Sequence, residues 1–494
     1  MDSNTRHHHW SSCNFQKLSF LVIGFTMKPF TEKVGTPHVG IVGGGITGLT
    51  AAFYLLRAGY KVTVLEARPQ VGGLATYFNF GPFHWDKFYH CILTTDAPLL
   101  QLIQDIGLKD EIRWTETKVG FFTNSRLHSM TTSLDFLRFP GISIWEKMRL
   151  ALGILYTARI KEGLQLEQEP IGPWLTKIFG AGNYQKLWQP LLKCKLGDSS
   201  KLVSASFIWA TIRRLYSTRD KGASKKERMG YVRGGYYTVF NRLLELITNM
   251  GGNVLCGVKI ARIKSNSGRG VIIESETRDL KFDYGISTAP SRPFAQLVPD
   301  LEPSYKASLE RIQYMGMVCC VLLLKRKLTP YYCTNLTDDL PFTGIIEMTN
   351  LISLTETQGR HLVYLPKYTS PGDPLFEASD EDVRQLFYSS LKRVIPDLQD
   401  SEVERTFVFR ERLVQPIPVL NYSALLPPMQ TPIPDLWLAN TTQIINSTLN
   451  NNEMVKIAKQ AVDAVIKTEA LSPLLHSKIP LQVETVGKFP LSVN

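Results

Sequence analysis

The sequence predicts an α/β fold: a Rossmann-type parallel-sheet domain assembled from discontinuous segments, with a helical cap and an α+β substrate domain. Three observations predict it. Within His38 to Glu66, an apolar run, a glycine turn, a helical pattern and a second apolar run follow one another. From Ile142 to Glu162 and again from Ile171 to Ile212 the pattern is helical. Beyond Ser291 short strand patterns alternate with a helix, before one more strand and helix between Leu436 and Ile466.

The first unit reads as strand His38–Val42, turn Gly43-x-Gly45-x-x-Gly48, helix Leu49–Ala58 and strand Lys61–Leu65, closed by Glu66. This order binds a dinucleotide. Gly43 makes the tight turn, Gly45 lets backbone approach a pyrophosphate, and Gly48 lets helix pack on strand. The helix N-terminus offers N–H groups and a partial positive charge, with Ile46 and Thr47 the turn residues beside it. Glu66 follows Gly43 by 23 residues, close to the spacing of about 20 expected of an acid that accepts from a ribose diol.

Downstream stands Ala67-Arg68-Pro69-Gln70-Val71-Gly72-Gly73-Leu74-Ala75. This stretch resembles the extended fingerprint of the FAD-dependent amine oxidase, phytoene desaturase and protoporphyrinogen oxidase superfamily. There a second glycine pair passes beneath the flavin phosphates, so the resemblance implies FAD, with Ala67, Arg68, Gly72, Gly73, Leu74 and Ala75 beside it. The family usually has arginine after the pair. Leu74 stands there instead, and Arg68 is the replacement candidate for the phosphate contact.

The resemblance continues along the chain. Asp86 and His90 keep the two polar ends of a family strand, and with His84 and Phe88 they read as a cofactor-side or substrate-side wall, not a metal site. PLLKCKLG and SASFIWA (from Pro190 and Ser204) resemble blocks of a bacterial protoporphyrinogen oxidase-like branch. Gly234-Gly235 precedes a helix, Thr238–Asn249. Val258 would place backbone against the adenine end of FAD. At the final loop relatives read L-A-G-D, whereas this chain reads Leu438-Ala439-Asn440-Thr441. Asn440, with the backbone of Asn451 and Asn452, is expected near the flavin. Resemblance and pattern together imply segments 38–110, 231–290 and 431–467 for the FAD domain. A helical cap is expected over 111–230, a sheet-containing substrate domain over 291–430, a leader over 1–37 and a tail over 468–494.

Several stretches fix no role by themselves. Ile144, Met148, Leu152 and Leu155 form one apolar stripe, read first as the buried side of a cap helix and alternatively as a membrane-touching face. Strands are expected at Met317–Lys325, Thr343–Met348 and His361–Tyr368, a hairpin over Val119–Met130, and a helix at Asp380–Val394. Lys193, Lys195, His84 and His90 are possible reaction-site residues without an assigned role, and no catalytic residue is designated.

The net charge is +12 over 494 residues. Basic residues are scattered and no nucleic-acid module is visible, so nucleic acid is not an expected partner. One concentration exists: Arg213, Arg214, Arg219, Lys221, Lys225, Lys226, Arg228 and Arg233 against Asp220 and Glu227. A solvated loop, an anionic-substrate site and a membrane-surface patch all fit it. The seven cysteines match neither a zinc site nor a CxxC pair, and Cys319-Cys320 would point to opposite faces of a strand. Free thiols and a cytoplasmic location are expected, with a peripheral contact at the inner membrane face. The apolar run Leu18–Phe25 is too short to span a bilayer, and Met27 is an alternative start.

The expected function is an FAD-dependent oxidoreductase moving a hydride from a substrate carbon to flavin N5, acting on a small molecule. Two other functions fit the same residues: a non-redox flavin mutase of the UDP-galactopyranose mutase type, and a protein holding FAD structurally.

Overall fold

The structure, a computed structural model, describes residues 35–217 and 228–476. Arg219, Lys221, Lys225 and Lys226 of the basic segment, and nearly all of the expected leader, lie outside the described residues.

A five-stranded, all-parallel sheet organises the site. Its order is Asn253–Cys256, Lys61–Glu66, His38–Val42, Tyr284–Ser287, Leu436–Leu438. The helix Ile46–Arg57 begins three residues before the sequence expectation, because Gly45 itself sits at the cap position. It is buried at nearly every position and packs against the helices Gly235–Asn249 and Asn451–His476. Leu49 and Leu55 are fully buried there, each contributing about 1.5–3 kcal/mol. The last helix runs to His476, beyond the tail boundary expected at 468. A small antiparallel meander, Ile260–Ser265, Val271–Ser275 and Asp279–Phe282, sits beside the parallel sheet. Its last strand ends at Phe282, next to the parallel strand Tyr284–Ser287. The break falls at Asp283, whose carboxylate accepts from the His38 N–H at 2.7 Å.

A second sheet has seven strands in the order Val403–Pro416, Tyr314–Leu324, His361–Thr369, Gly344–Glu347, Cys333–Leu336, Val119–Thr123, Arg126–Ser129. The hairpin of the segment read as cap joins it by parallel pairing of Val119 with Cys333. Tyr314–Leu324 is buried along its whole length. Cys319 and Cys320 pack into different clusters on its two faces. None of the six described cysteines is in a disulfide, and Cys256 is exposed.

Above this sheet lies a helical cap. Helix Ile144–Arg159 starts with a capping box in which Ser143 and Glu146 satisfy each other's backbone N–H groups. Its apolar stripe faces outward, contrary to the first expectation: Ile144, Met148 and Leu152 are exposed, while Leu150, Gly153 and Thr157 face the cap. The small residue decides this. A Cβ at Gly153 would lie 2.6 Å from the Phe179 ring, so close approach is possible only on that side.

Candidate active site

One cavity of about 1080 Å³ runs from the glycine turn to the space between cap and seven-stranded sheet. Single-ligand sites span about 300–1,000 Å³, so the volume suits a dinucleotide and a second molecule.

The first half is built by the glycine turn. Gly43 has φ +108°, and a Cβ there would meet the Thr288 hydroxyl at 2.1 Å. A Cβ at Gly48 would meet the Gly43 carbonyl oxygen at 1.9 Å, so Gly48 serves helix-to-strand packing and is not in the cavity wall. Gly45, Ile46 and Thr47 line the wall at the helix N-terminus. The second glycine pair lies directly on this turn: the Gly72 N–H donates to the Gly44 carbonyl at 2.9 Å, and Gly45 and Gly72 form a parallel bridge. Gly72, Gly73, Leu74 and Ala75 complete that wall.

Glu66 is buried and accepts from the Gly44 N–H at 2.6 Å and the Arg68 N–H at 2.8 Å. Its carboxylate thus braces the turn and keeps further acceptor capacity towards the cavity. Ala67 and Arg68 line the wall beside it, and Arg68 pairs with Glu411 at 2.6 Å. Val258 donates its N–H to the Glu66 carbonyl and stays out of the wall, where Ile260 stands instead.

At the final loop Asn440 lines the cavity, but its side chain is engaged. Its oxygen accepts from the Thr442 N–H and hydroxyl, and its amide donates to the Ala289 carbonyl at 2.7 Å. Asn451 lines the cavity, and its side chain faces the buried Tyr236 hydroxyl. Asn452 faces away and accepts from the Leu99 N–H at 3.1 Å.

The second half is apolar. Trp188, Leu191, Phe207, Ile208, Tyr332 and Tyr368 line it, together with Phe88, Tyr89 and His90. Of the wall expected around Asp86, the His90 end lines the cavity. Asp86 instead accepts from the Tyr236 N–H at 2.8 Å, holding the start of helix Gly235–Asn249. His84 stacks on Tyr237. The Tyr89 and Tyr368 hydroxyls meet at 3.1 Å, and burial pushes both upward in pKa, so both stay neutral donors near pH 7. Lys195 lines this half and Lys193 does not. Among the described residues, no group of three or more His, Cys, Asp or Glu is placed to hold a metal ion. Thr288, Ala289 and Pro290 also form wall.

The cradle fits a dinucleotide. Its glycines leave room beside a helix N-terminus, and Glu66 offers acceptor oxygens.

A sequence profile described as flavin containing amine oxidoreductase matches residues 46–442. A 15-cis-phytoene desaturase of Synechococcus elongatus is 22% identical over 383 residues, 73% of this chain and 80% of its own. A coproporphyrinogen III oxidase of Bacillus subtilis is 25% identical over 303 residues, 54% of this chain and 63% of its own. A Mycobacterium tuberculosis relative assigned as a flavin-containing monoamine oxidase is 24% identical, and this chain spans 62% of its length. Among solved structures, an oxidoreductase from Methanosarcina mazei superposes with TM-score 0.69 at 18% identity, covering 86% of this chain and 100% of its own. A reduced UDP-galactopyranose mutase superposes with TM-score 0.69 at 16% identity, covering 88% and 96%. The matched span covers most of the chain, from helix Ile46–Arg57 through the cap and the seven-stranded sheet to the loop after Leu438, so the chain belongs to the flavin-containing amine oxidoreductase family, and FAD is its cofactor.

Proposed function

We propose that this protein oxidises an apolar small molecule, a hydride leaving a substrate carbon for flavin N5. The observation carrying this reading is the continuity of the cavity between the glycine cradle and the apolar chamber. Bound FAD supplies the two-electron chemistry. The chain's own residues bind and orient. The turn Gly43–Gly48 and the helix N-terminus hold the pyrophosphate, and Glu66 holds the ribose. Trp188, Phe207, Tyr332 and Tyr368 enclose the substrate and exclude water. Anaerobic mixing with porphyrinogens, polyenes and amines tests this, with bleaching of oxidised flavin as the readout. If no compound bleaches it while the prereduced protein isomerises a nucleotide sugar, the mutase reading replaces this one. A response to neither leaves a structural FAD binder.

The reading extends to place: a cytoplasmic protein with peripheral contact at the inner membrane face. Its support is the outward side of helix Ile144–Arg159. Trp145 is 74% exposed and Leu152 63%, beside Ile144, Met148 and Tyr156. Arg149 and Arg159 are exposed on the same helix. Large exposed apolar groups with arginines suit an interfacial helix. The cavity reaches Ile154 of this helix and Leu215 and Tyr216 on the neighbouring helix Ala205–Ser217. An apolar substrate would thus meet the chamber near the bilayer. Among the described residues no helix is long and apolar enough to cross a membrane.

A further inference from the structure

Helix Gln189–Leu196 turns Leu192 and Leu196 into the cap core and Lys195 into the apolar half of the cavity. Lys195 keeps accessible surface and lines the cavity, while the protein packed around it desolvates its ammonium. Its ammonium stands 5.7 Å from the Phe207 ring centroid. Among the described residues it makes no ion pair with a carboxylate. The other charged side chains on the wall are engaged. Glu411 pairs with Arg68, Asp96 pairs with Arg214 at 3.0 Å, and Glu66 accepts from two backbone N–H groups. An apolar chamber with one unmatched cation is costly unless a bound anion completes it. One ammonium balances one charge. A carboxylate matches it, whereas a phosphate, carrying about −1.5 to −2, would leave charge unpaired.

We infer that Lys195 anchors the carboxylate of an otherwise apolar ligand, so that the chamber favours apolar acids and disfavours cationic amines. This rests on reading the chamber as the substrate site. Phe207 supports the ammonium through its ring face while the ligand's apolar body lies against Trp188 and Leu191. A protonated amine placed there would meet a like charge, while of the wall carboxylates Glu411 is paired with Arg68 and Glu66 lies at the glycine turn in the other half.

The test uses the full chain with its FAD, and calorimetric titration with dodecanoate, dodecylamine and methyl dodecanoate below their micelle concentrations. Dodecanoate should bind about tenfold more tightly than dodecylamine, with the ester between them. Lys195→Met should bring acid and amine to within about threefold of each other, Lys195→Arg should keep the preference, and Lys195→Glu should reverse it. The arginine variant serves as the folded control if the methionine variant is poorly soluble, and Lys195→Gln then replaces the latter. Equal or tighter binding of dodecylamine to the unmodified protein overturns the inference. So does an unchanged preference in the methionine or glutamine variant, or no binding of dodecanoate at all. The readout is binding, so it stands or falls separately from whether any compound bleaches the flavin.

Discussion

The guanidinium of Arg68 and the carboxylate of Glu411 meet at 2.6 Å, tying the loop after strand Lys61–Glu66 to strand Val403–Pro416. Both line the cavity. With Arg68 as the proposed phosphate contact, the pair would set how much positive charge the wall offers where Leu74 replaces the family's arginine. Glu411→Gln should release the guanidinium and tighten FAD binding; Arg68→Ala should weaken it. Arg68 is about half exposed, so each effect should stay within about 0.2–1 kcal/mol, at most about fivefold. Flavin fluorescence titration of the apoprotein at low and high salt measures both. Shifts of the same sign in the two variants would contradict the assignment.

Two glycines of one turn should fail differently. A Cβ at Gly48 collides with the Gly43 carbonyl, so Gly48→Ala should lower the melting temperature of the apoprotein. A Cβ at Gly45 finds its nearest neighbour, the Gly73 Cα, at 3.6 Å, an ordinary contact. Gly45→Ala should therefore keep the apoprotein melting temperature and lose FAD, and Gly45→Val should lose it completely. Thermal unfolding of apoprotein and cofactor content of purified protein separate the two roles. A Gly45→Val protein with normal flavin content would remove Gly45 from the cofactor site.

Local chemistry was legible where it acts alone. Helix Asp380–Val394 has the bounds that its sequence predicts. Ser379 accepts from the Asp382 N–H, acids fill the first turn, and Lys392 and Arg393 fill the last. The glycine turn and Glu66 were equally readable, because their spacing encodes a local geometry. What needs distant partners was not. The hairpin Val119–Ser129 reads as a hairpin, but nothing in it points to Cys333 as its neighbour. Helix Asn451–His476 carries two asparagines at its start, and successive residues on a helix are rotated by about 100°. That rotation puts Asn451 on the cavity and Asn452 on Leu99. Lys195 reads as an ordinary lysine near a helix end, and only the fold encloses it. The stripe on helix Ile144–Arg159 was visible, but its direction depended on Gly153 meeting Phe179.

The outward stripe gives a membrane prediction. Trp145→Glu with Leu152→Glu should abolish sedimentation with vesicles containing anionic lipid while changing stability by less than about 0.5 kcal/mol, because both positions are exposed. Binding by the unmodified protein should weaken, but persist, at high salt, since the apolar contact is not screened. Equal sedimentation of variant and unmodified protein would show that this helix is not the contact.

Lys195 also predicts a pH dependence of stability. Burial lowers the pKa of its ammonium, and the groups facing it are the Phe207 ring and the Cys333 thiol. A lysine with a folded pKa below its unfolded value of about 10.4 binds more protons in the unfolded chain between those values. Its contribution to stability therefore rises with pH. The cost is full below the lowered pKa and vanishes above about 10.4. Lys195→Met should raise the melting temperature at pH 7 in the absence of ligand, and the gain should shrink as pH approaches 10. Combining the change with Cys333→Ser, in the same scans, separates the thiol's own titration from the lysine's. A gain that grows with pH, or a methionine variant less stable than the unmodified protein at pH 7, would mean that the ammonium is already satisfied inside the fold.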